Sequence, residues 1–220
     1  MFSQIDQIIF PNSCEVVEIP SSQQYVFLIF KNASSSLRQE SMQQLGKRYN
    51  EHDVNTLSNI TVYLRDPIQR YISGVNTFVN FLLRDNANLD LDTIMHFVNN
   101  YRFLNLHYAP QFFWLLNLHR FINPGCTLTL LDIESAKQTT ECRDQPVTKK
   151  IIKDFGQQLK FDNNLELWFH LDYILRDFLG ETLTFDQIYQ HIKLNHNNIY
   201  HALIAPTTDF LSPYYGMPKT

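Results

Sequence analysis

The chain has 220 residues, 44% of them hydrophobic and 18% charged, which is enough for one α/β domain with a sizeable core. A formal net charge of -4 excludes a general basic surface for nucleic acid, so an anionic ligand has to be held by a local cluster. Three scattered cysteines, Cys14, Cys126 and Cys142, form no C-x-x-C pair; this argues against a disulfide framework or a zinc site and for a reducing compartment.

The first residues, MFSQIDQIIFPNS, lack a basic segment and carry only a very short apolar run, so a signal peptide is not expected. No apolar run is long enough to span a bilayer, and a cytoplasmic location follows as the expectation. With 17 Phe and 11 Tyr, the core is expected to be built on rings.

In chain order, Ile5–Phe10 and Glu15–Ile19 read as a short entry strand or hairpin around Pro11-Asn12-Ser13. Tyr25–Phe30 is an unbroken apolar run, the pattern of a strand buried on both faces. Leu37 to about Tyr49 reads as a helix with Leu37, Met42 and Leu45 inward and Gly46 near its end. Asn59–Leu64 is a second apolar strand, running into Arg65-Asp66-Pro67. There Asp66 suits an N-cap and Pro67 the first helical position. The helix that follows carries Ile68, Tyr71, Ile72, Val75, Phe78, Val79 and Leu82 at three- and four-residue spacings. Leu91–Tyr101 is a further helix, Phe103–Pro110 an irregular link, Gln111–Phe121 a helix and Thr127–Leu131 a third strand. Pro146–Leu159, Leu165–Leu179 and Asp186–Lys193 read as helices, and the tail has little regular pattern. Alternating strands and helices predict a single α/β domain over 1–220, with a central parallel sheet flanked by helices and a helical part over about 146–220.

One stretch carries chemistry. Lys31 ends the first buried strand; Asn32, Ala33, Ser34, Ser35 and Ser36 lead into a helix. A strand-to-helix step gathers free backbone N–H groups and the positive end of a helix dipole, a setting for phosphate-like anions. Lys31 adds a mobile charge and the serines add hydroxyl donors. Ser36 with Gln39 also fits a capping box. The G-x-x-x-x-G-K-[ST] pattern of nucleotide-binding P-loops is absent, and here the Lys precedes the small residues. Ligands of open α/β sheets sit beyond the carboxyl ends of the strands, so Lys31 and Arg65 are expected to converge on one crevice. Arg65 offers a fork of donors, and Ser73 lies two helical turns beyond Asp66.

Taken together, these blocks resemble the sulfotransferases that use 3′-phosphoadenosine 5′-phosphosulfate (PAPS), and the carbohydrate sulfotransferases in particular. Lys31–Ser36 looks like the loop that binds the 5′-phosphosulfate in that family, with Ser for the common Thr and Ala33 for the common Gly. Arg65 and Ser73, eight residues apart within YLRDPIQRYISG, match its 3′-phosphate motif. His107-Tyr108-Ala109-Pro110-Gln111 is similar to its H-x-x-P-Q element, and the segment ending in Asp132-Ile133-Glu134 to its later strand.

The resemblance covers about Tyr25–Glu134 and implies a P-loop-like sulfotransferase fold with a cofactor-binding core over about 25–134. It also implies PAPS as cofactor, adenosine 3′,5′-bisphosphate (PAP) as product, and no metal. The acceptor would be a glycan or other small molecule offering a hydroxyl or amine. Lys31 would stabilise charge on the leaving group, Asn32–Ser36 would hold the 5′ end, and Arg65 and Ser73 the 3′-phosphate. His107 is the first candidate for general base, with Glu40, Glu51 and His52 as competitors and a rate limb near the unperturbed His pKa of about 6.5. Lys149, Lys150 and Lys153 are candidates for further cofactor contacts. Two other readings stay open: a nucleotide or small-molecule kinase, with Asp66 on Mg²⁺, and a non-catalytic nucleotide-binding module.

Overall fold

Burial on both faces of the central strands sets the architecture: Asn59–Leu64 is buried at every residue after the first. A computed structural model describes residues 14–85, 90, 92–93, 107, 109–135 and 163–204. Val16–Ile19 (β1) and Gln24–Phe27 (β2) form an antiparallel hairpin, with Val16 opposite Phe27 and Ile19 opposite Gln24. Arg48–Tyr49 (β3) pairs antiparallel with β1. Asn59–Leu64 (β4) runs parallel to β2, and Thr127–Asp132 (β5) parallel to β4. Thr182–Thr184 (β6) closes the far edge, antiparallel to β5.

The result is one α/β domain around a mixed six-stranded sheet in the order β3-β1-β2-β4-β5-β6. The central parallel sheet expected from the sequence is present as β2, β4 and β5, which pair parallel, but the sheet as a whole is mixed: β1, β3 and β6 join it by antiparallel pairing. The antiparallel edges are strands of two and three residues, too short to leave an apolar period of their own.

Five helices of eight or more residues flank the sheet among the described residues: Ser34–Gln43 (α1), Pro67–Asp85 (α2), Gln111–His119 (α3), Asn163–Arg176 (α4) and Phe185–Asn195 (α5). Successive strand residues point to opposite faces. Phe27, Ile60, Val62, Leu64, Leu128 and Leu130 pack with Phe112 to Leu116 of α3, Leu171 of α4 and Ile188 of α5. On the other face, Val17, Ile19, Val26, Leu28 and Tyr63 pack with Leu37 of α1.

Three local expectations change. The first strand pairs only to Phe27, although Leu28 and Ile29 remain buried, because the chain must turn into the loop before α1. The helix expected at Leu37–Tyr49 begins at Ser34 and ends at Gln43, and Tyr49 belongs to β3. Gly46 does lie just past the helix end, its N–H bonded to the Ser41 carbonyl at 2.8 Å, and a Cβ there would lie 2.2 Å from the Glu18 carbonyl oxygen; Met42 and Leu45, expected inward, are exposed. The Ser36–Gln39 capping box does not form; Ser36 sits inside the first turn, its N–H bonded to the Ala33 carbonyl at 3.0 Å. The expectations at Ile5–Phe10, Leu91–Tyr101 (apart from Asp92 and Thr93), Pro146–Leu159 and the last sixteen residues lie outside the described residues.

The start of α2 follows the sequence reading closely. Asp66 Oδ1 accepts from the Gln69 N–H at 2.9 Å, and Oδ2 accepts from the Tyr173 hydroxyl of α4 at 3.1 Å. Asp66→Ala is therefore expected to cost about 1 kcal/mol, with a range of about 0.5–2, the usual value of an N-cap. Equilibrium denaturation of the variant checks it, and no measurable loss would mean the cap is idle.

Candidate functional site: an anion crevice between two parallel strands

The connections leaving β2 and β4 diverge. β2 leads through α1 on one sheet face toward β1 and β3, whereas β4 leads toward β5 by way of α3 on the opposite face. Between the carboxyl ends of these two strands lies a topological switch point, where open α/β sheets form their ligand crevice.

The β2 side of that crevice is the loop from Phe30 to Ala33. Lys31 has φ 69 and Ala33 φ 55, so both lie in the left-handed region on either side of Asn32. For residues with a Cβ this conformation costs about 1–2 kcal/mol each. Left-handed residues in a turn just ahead of a helix are the backbone ingredients of an anion-binding nest. α1 then begins at Ser34 without a side-chain cap, so the first-turn N–H groups of Ser34 and Ser35 have no intrahelical acceptor. Asn32 and Ser34 are buried, Lys31 and Ser36 half-buried, and Ser35 is exposed.

The β4 side is Arg65, half-buried, whose Nη1 donates to the Lys31 carbonyl at 3.2 Å. The two expected ends of the anion site therefore touch. Ser73 stands further off. It is half-buried on α2, about 10 Å along the helix axis from Asp66, and its carbonyl accepts from Thr77 Oγ1 at 3.2 Å.

His107 enters from the segment before α3. Its ring lies tilted against Phe30 with centroids 5.3 Å apart, next to Lys31 in the chain. Burial, then the charges of Lys31 and Arg70, push its pKa down to about 4. The acid limb near 6.5 expected from the sequence is corrected accordingly: His107 is neutral across the physiological range. Among its competitors, Glu40 accepts from Gln44 Nε2 at 3.2 Å within α1 and its first turn beyond. Glu51 acts on Cys14, where burial and then this carboxylate push the thiol up to about 12. His52 is exposed, its backbone N–H bonded to Asn50 Oδ1 at 2.9 Å. Lys149, Lys150 and Lys153 lie outside the described residues.

Two residues beneath the crevice, Arg70 and Asp172, carry no expectation from the sequence, and a third, Gln111, appears there only within the H-x-x-P-Q-like block. Arg70, 1% exposed, donates from Nε to the Phe30 carbonyl at 3.2 Å and from Nη1 to the Ala109 carbonyl, tying the Lys31 loop to the His107 segment. Burial lowers its pKa to about 10, so it keeps its charge at neutral pH. Asp172 of α4 is also buried; desolvation raises its pKa, opposed by bonds from the backbone and by Arg70. Its oxygens accept from the N–H groups of Gln111 at 2.8 Å and Phe112 at 3.0 Å, capping α3 from a neighbouring helix. Pro110, at the N-cap position of α3, makes no side-chain cap bond. Gln111 is fully buried between the two crevice arms. Asp172 left a signal, an acid between Leu171 and Leu175 on the apolar stripe of α4 that has to find partners. Arg70 left none: its neighbours one turn away on α2 are Pro67, Ser73 and Gly74, off the stripe of Ile68, Tyr71, Ile72 and Val75.

The arrangement gathers Lys31, Arg65, Arg70 and the first turn of α1 around one crevice, with a neutral imidazole at its side. It can hold an anion and take a proton. Among the described residues no group of three or more His, Cys, Asp or Glu side chains could hold a metal ion, and no helix is long and apolar enough to cross a membrane. Comparison of the chain with protein-family models, with curated proteins and with solved structures returns no match.

Proposed function

We propose that this chain is a PAPS-dependent sulfotransferase of P-loop-like fold, moving a sulfuryl group to the hydroxyl or amine of a carbohydrate or other small acceptor. The observation that carries the reading is the bond from Arg65 Nη1 to the Lys31 carbonyl at the β2–β4 switch point. It supports the reading because Lys31, from the block similar to the 5′ motif, and Arg65, from the block similar to the 3′ motif, are in contact, while Ser73 stands further along α2. The residues fit an anionic nucleotide: the left-handed loop and open first turn of α1 suit the 5′ end, and the Arg65 fork suits a second phosphate.

Bound there, the nucleotide supplies the sulfuryl group and a good leaving group for in-line transfer. Lys31 holds positive charge where the leaving oxygens develop negative charge. His107, neutral, accepts the proton of the attacking hydroxyl. Arg70 keeps the segments bearing these two residues together. Catalysis is then mainly positioning and charge stabilisation. The kinase alternative is disfavoured because the G-x-x-x-x-G-K-[ST] loop is absent from the chain.

The reading is tested by a transfer screen with labelled PAPS against glycans, phenols, lipids and small alcohols, run beside labelled ATP with Mg²⁺. Label transfer from PAPS alone is expected, and transfer from ATP alone contradicts the assignment. A separate prediction isolates the second arm. Arg65→Ala should weaken binding of adenosine 3′,5′-bisphosphate by about 1.5–3 kcal/mol, the value of a hydrogen bond to a charged group. It should leave adenosine 5′-monophosphate nearly unaffected. Equal losses for both ligands would detach Arg65 from the 3′-phosphate.

A further inference from the structure

The crevice arms come from parallel strands that have stopped pairing. The β2–β4 ladder ends at Phe27 opposite Val62, before the chain reaches Lys31 and Arg65. Strands that part leave backbone N–H and C=O groups in need of partners. At Arg65 one side chain takes both. Gln111 Oε1 accepts from the Arg65 N–H at 2.9 Å, and Gln111 Nε2 donates to the Arg65 carbonyl at 2.9 Å. A primary amide carries an acceptor and a donor on one planar head, so it can copy the peptide group of a neighbouring strand.

The same Oε1 accepts from Asn32 Nδ2 at 2.6 Å, while that Nδ2 also donates to the Tyr63 carbonyl at 2.7 Å. One atom thus joins the loop arm to the arginine arm. Gln111 is itself anchored. It is fully buried, its N–H donates to Asp172 Oδ2 at 2.8 Å, and its Nε2 lies 3.4 Å from the same oxygen. A glutamate in its place could not donate to the Arg65 carbonyl when ionised, and an asparagine is one methylene shorter.

We infer that Gln111 is a positioning residue of the anion crevice: by pairing both backbone groups of Arg65 and the side chain of Asn32, it fixes the separation of the two phosphate-binding arms. That separation decides which spacing of anionic groups the crevice accepts, here the two ends of an adenosine 3′,5′-bisphosphate. The role rests on the sulfotransferase reading of the crevice.

A double-mutant cycle tests it. Adenosine 3′,5′-bisphosphate and adenosine 5′-monophosphate are titrated calorimetrically into the wild-type chain, Gln111→Met, Arg65→Ala and the double variant. Gln111→Met is expected to lower the preference for the bisphosphate by about tenfold, a size typical of contacting residues, and to lower it no further in the Arg65→Ala background. Gln111→Asn, which keeps the amide but is one methylene too short to reach both Arg65 groups, gives the same comparison should the methionine variant fail to fold. A preference that survives both single Gln111 substitutions, or falls equally with and without Arg65, overturns the positioning role alone. A wild-type chain that binds the two nucleotides equally overturns the sulfotransferase reading, and this role with it.

Discussion

Lys31→Ala is expected to lower sulfuryl transfer by about 10²–10³, the usual loss when one preorganised charge stabiliser is removed. The substitution is clean for a structural reason. Lys31 occupies the left-handed region with φ 69, and alanine meets the same steric cost there as lysine, so the loop is not released as it would be by glycine. The half-buried side chain lies outside the packed core, so thermal stability should change little. A second readout needs no substrate. The Lys31 charge is one of the causes that depress the His107 pKa, so removing it should raise that pKa from about 4 in an NMR titration. A variant with near-normal turnover removes Lys31 from the mechanism, and an unmoved His107 titration contradicts its placement beside the imidazole.

His107→Ala should abolish transfer to an alcohol acceptor while nucleotide binding stays nearly unchanged, because the anion is gripped by the loop, α1 and Arg65. The pH dependence is the sharper signature. The free protein holds His107 neutral down to about 4, so kcat/KM should stay flat as pH falls through the ordinary histidine range and drop only near that value. A bound anion beside Lys31 offsets part of the depressing charge, so the limb in kcat should lie higher than the limb in kcat/KM. Both limbs should vanish in the variant.

Folding is linked to the same proton. The folded pKa lies below the unfolded value, so this group costs no stability above about 6.5. Stability is lost as pH falls from there toward 4, where the unfolded chain takes up a proton that the folded site refuses. If turnover of the variant recovers at saturating acceptor, His107 positions the acceptor rather than taking its proton.

The sequence was most informative where two independent signals coincided. β4 and the start of α2 follow the reading because an apolar run, an N-cap aspartate and a first-turn proline all mark the same boundary. β2 is shorter than its apolar run because apolar residues report burial rather than pairing: Leu28 and Ile29 are buried beyond the end of the ladder. α1 begins three residues before its first apolar position, Leu37, because its start depends on the left-handed Ala33, which no hydrophobic period encodes. β3 and β6 were invisible because their partners, more than their own residues, make them strands.

At the site, Lys31 and Arg65 were legible from strand ends, and the structure joins them. The scaffold below was not. Gln111 lies in the H-x-x-P-Q-like block, yet its hold on Arg65 and Asn32 depends on a contact across the fold. Arg70 and Asp172 meet the crevice only once α2, α3 and α4 are packed together.

The claim that the β2–β4 crevice is built for two phosphate-like groups has one direct measurement. Calorimetric titration of the wild-type chain with adenosine 3′,5′-bisphosphate, adenosine 5′-monophosphate and ATP compares ligands that differ chiefly in where their phosphates lie. The account predicts that the bisphosphate binds more tightly than the monophosphate by about tenfold or more, one added charge-assisted hydrogen bond being worth about 1.5–3 kcal/mol. It predicts no such gain for ATP. Equal affinity for ligands with and without the 3′-phosphate would contradict it.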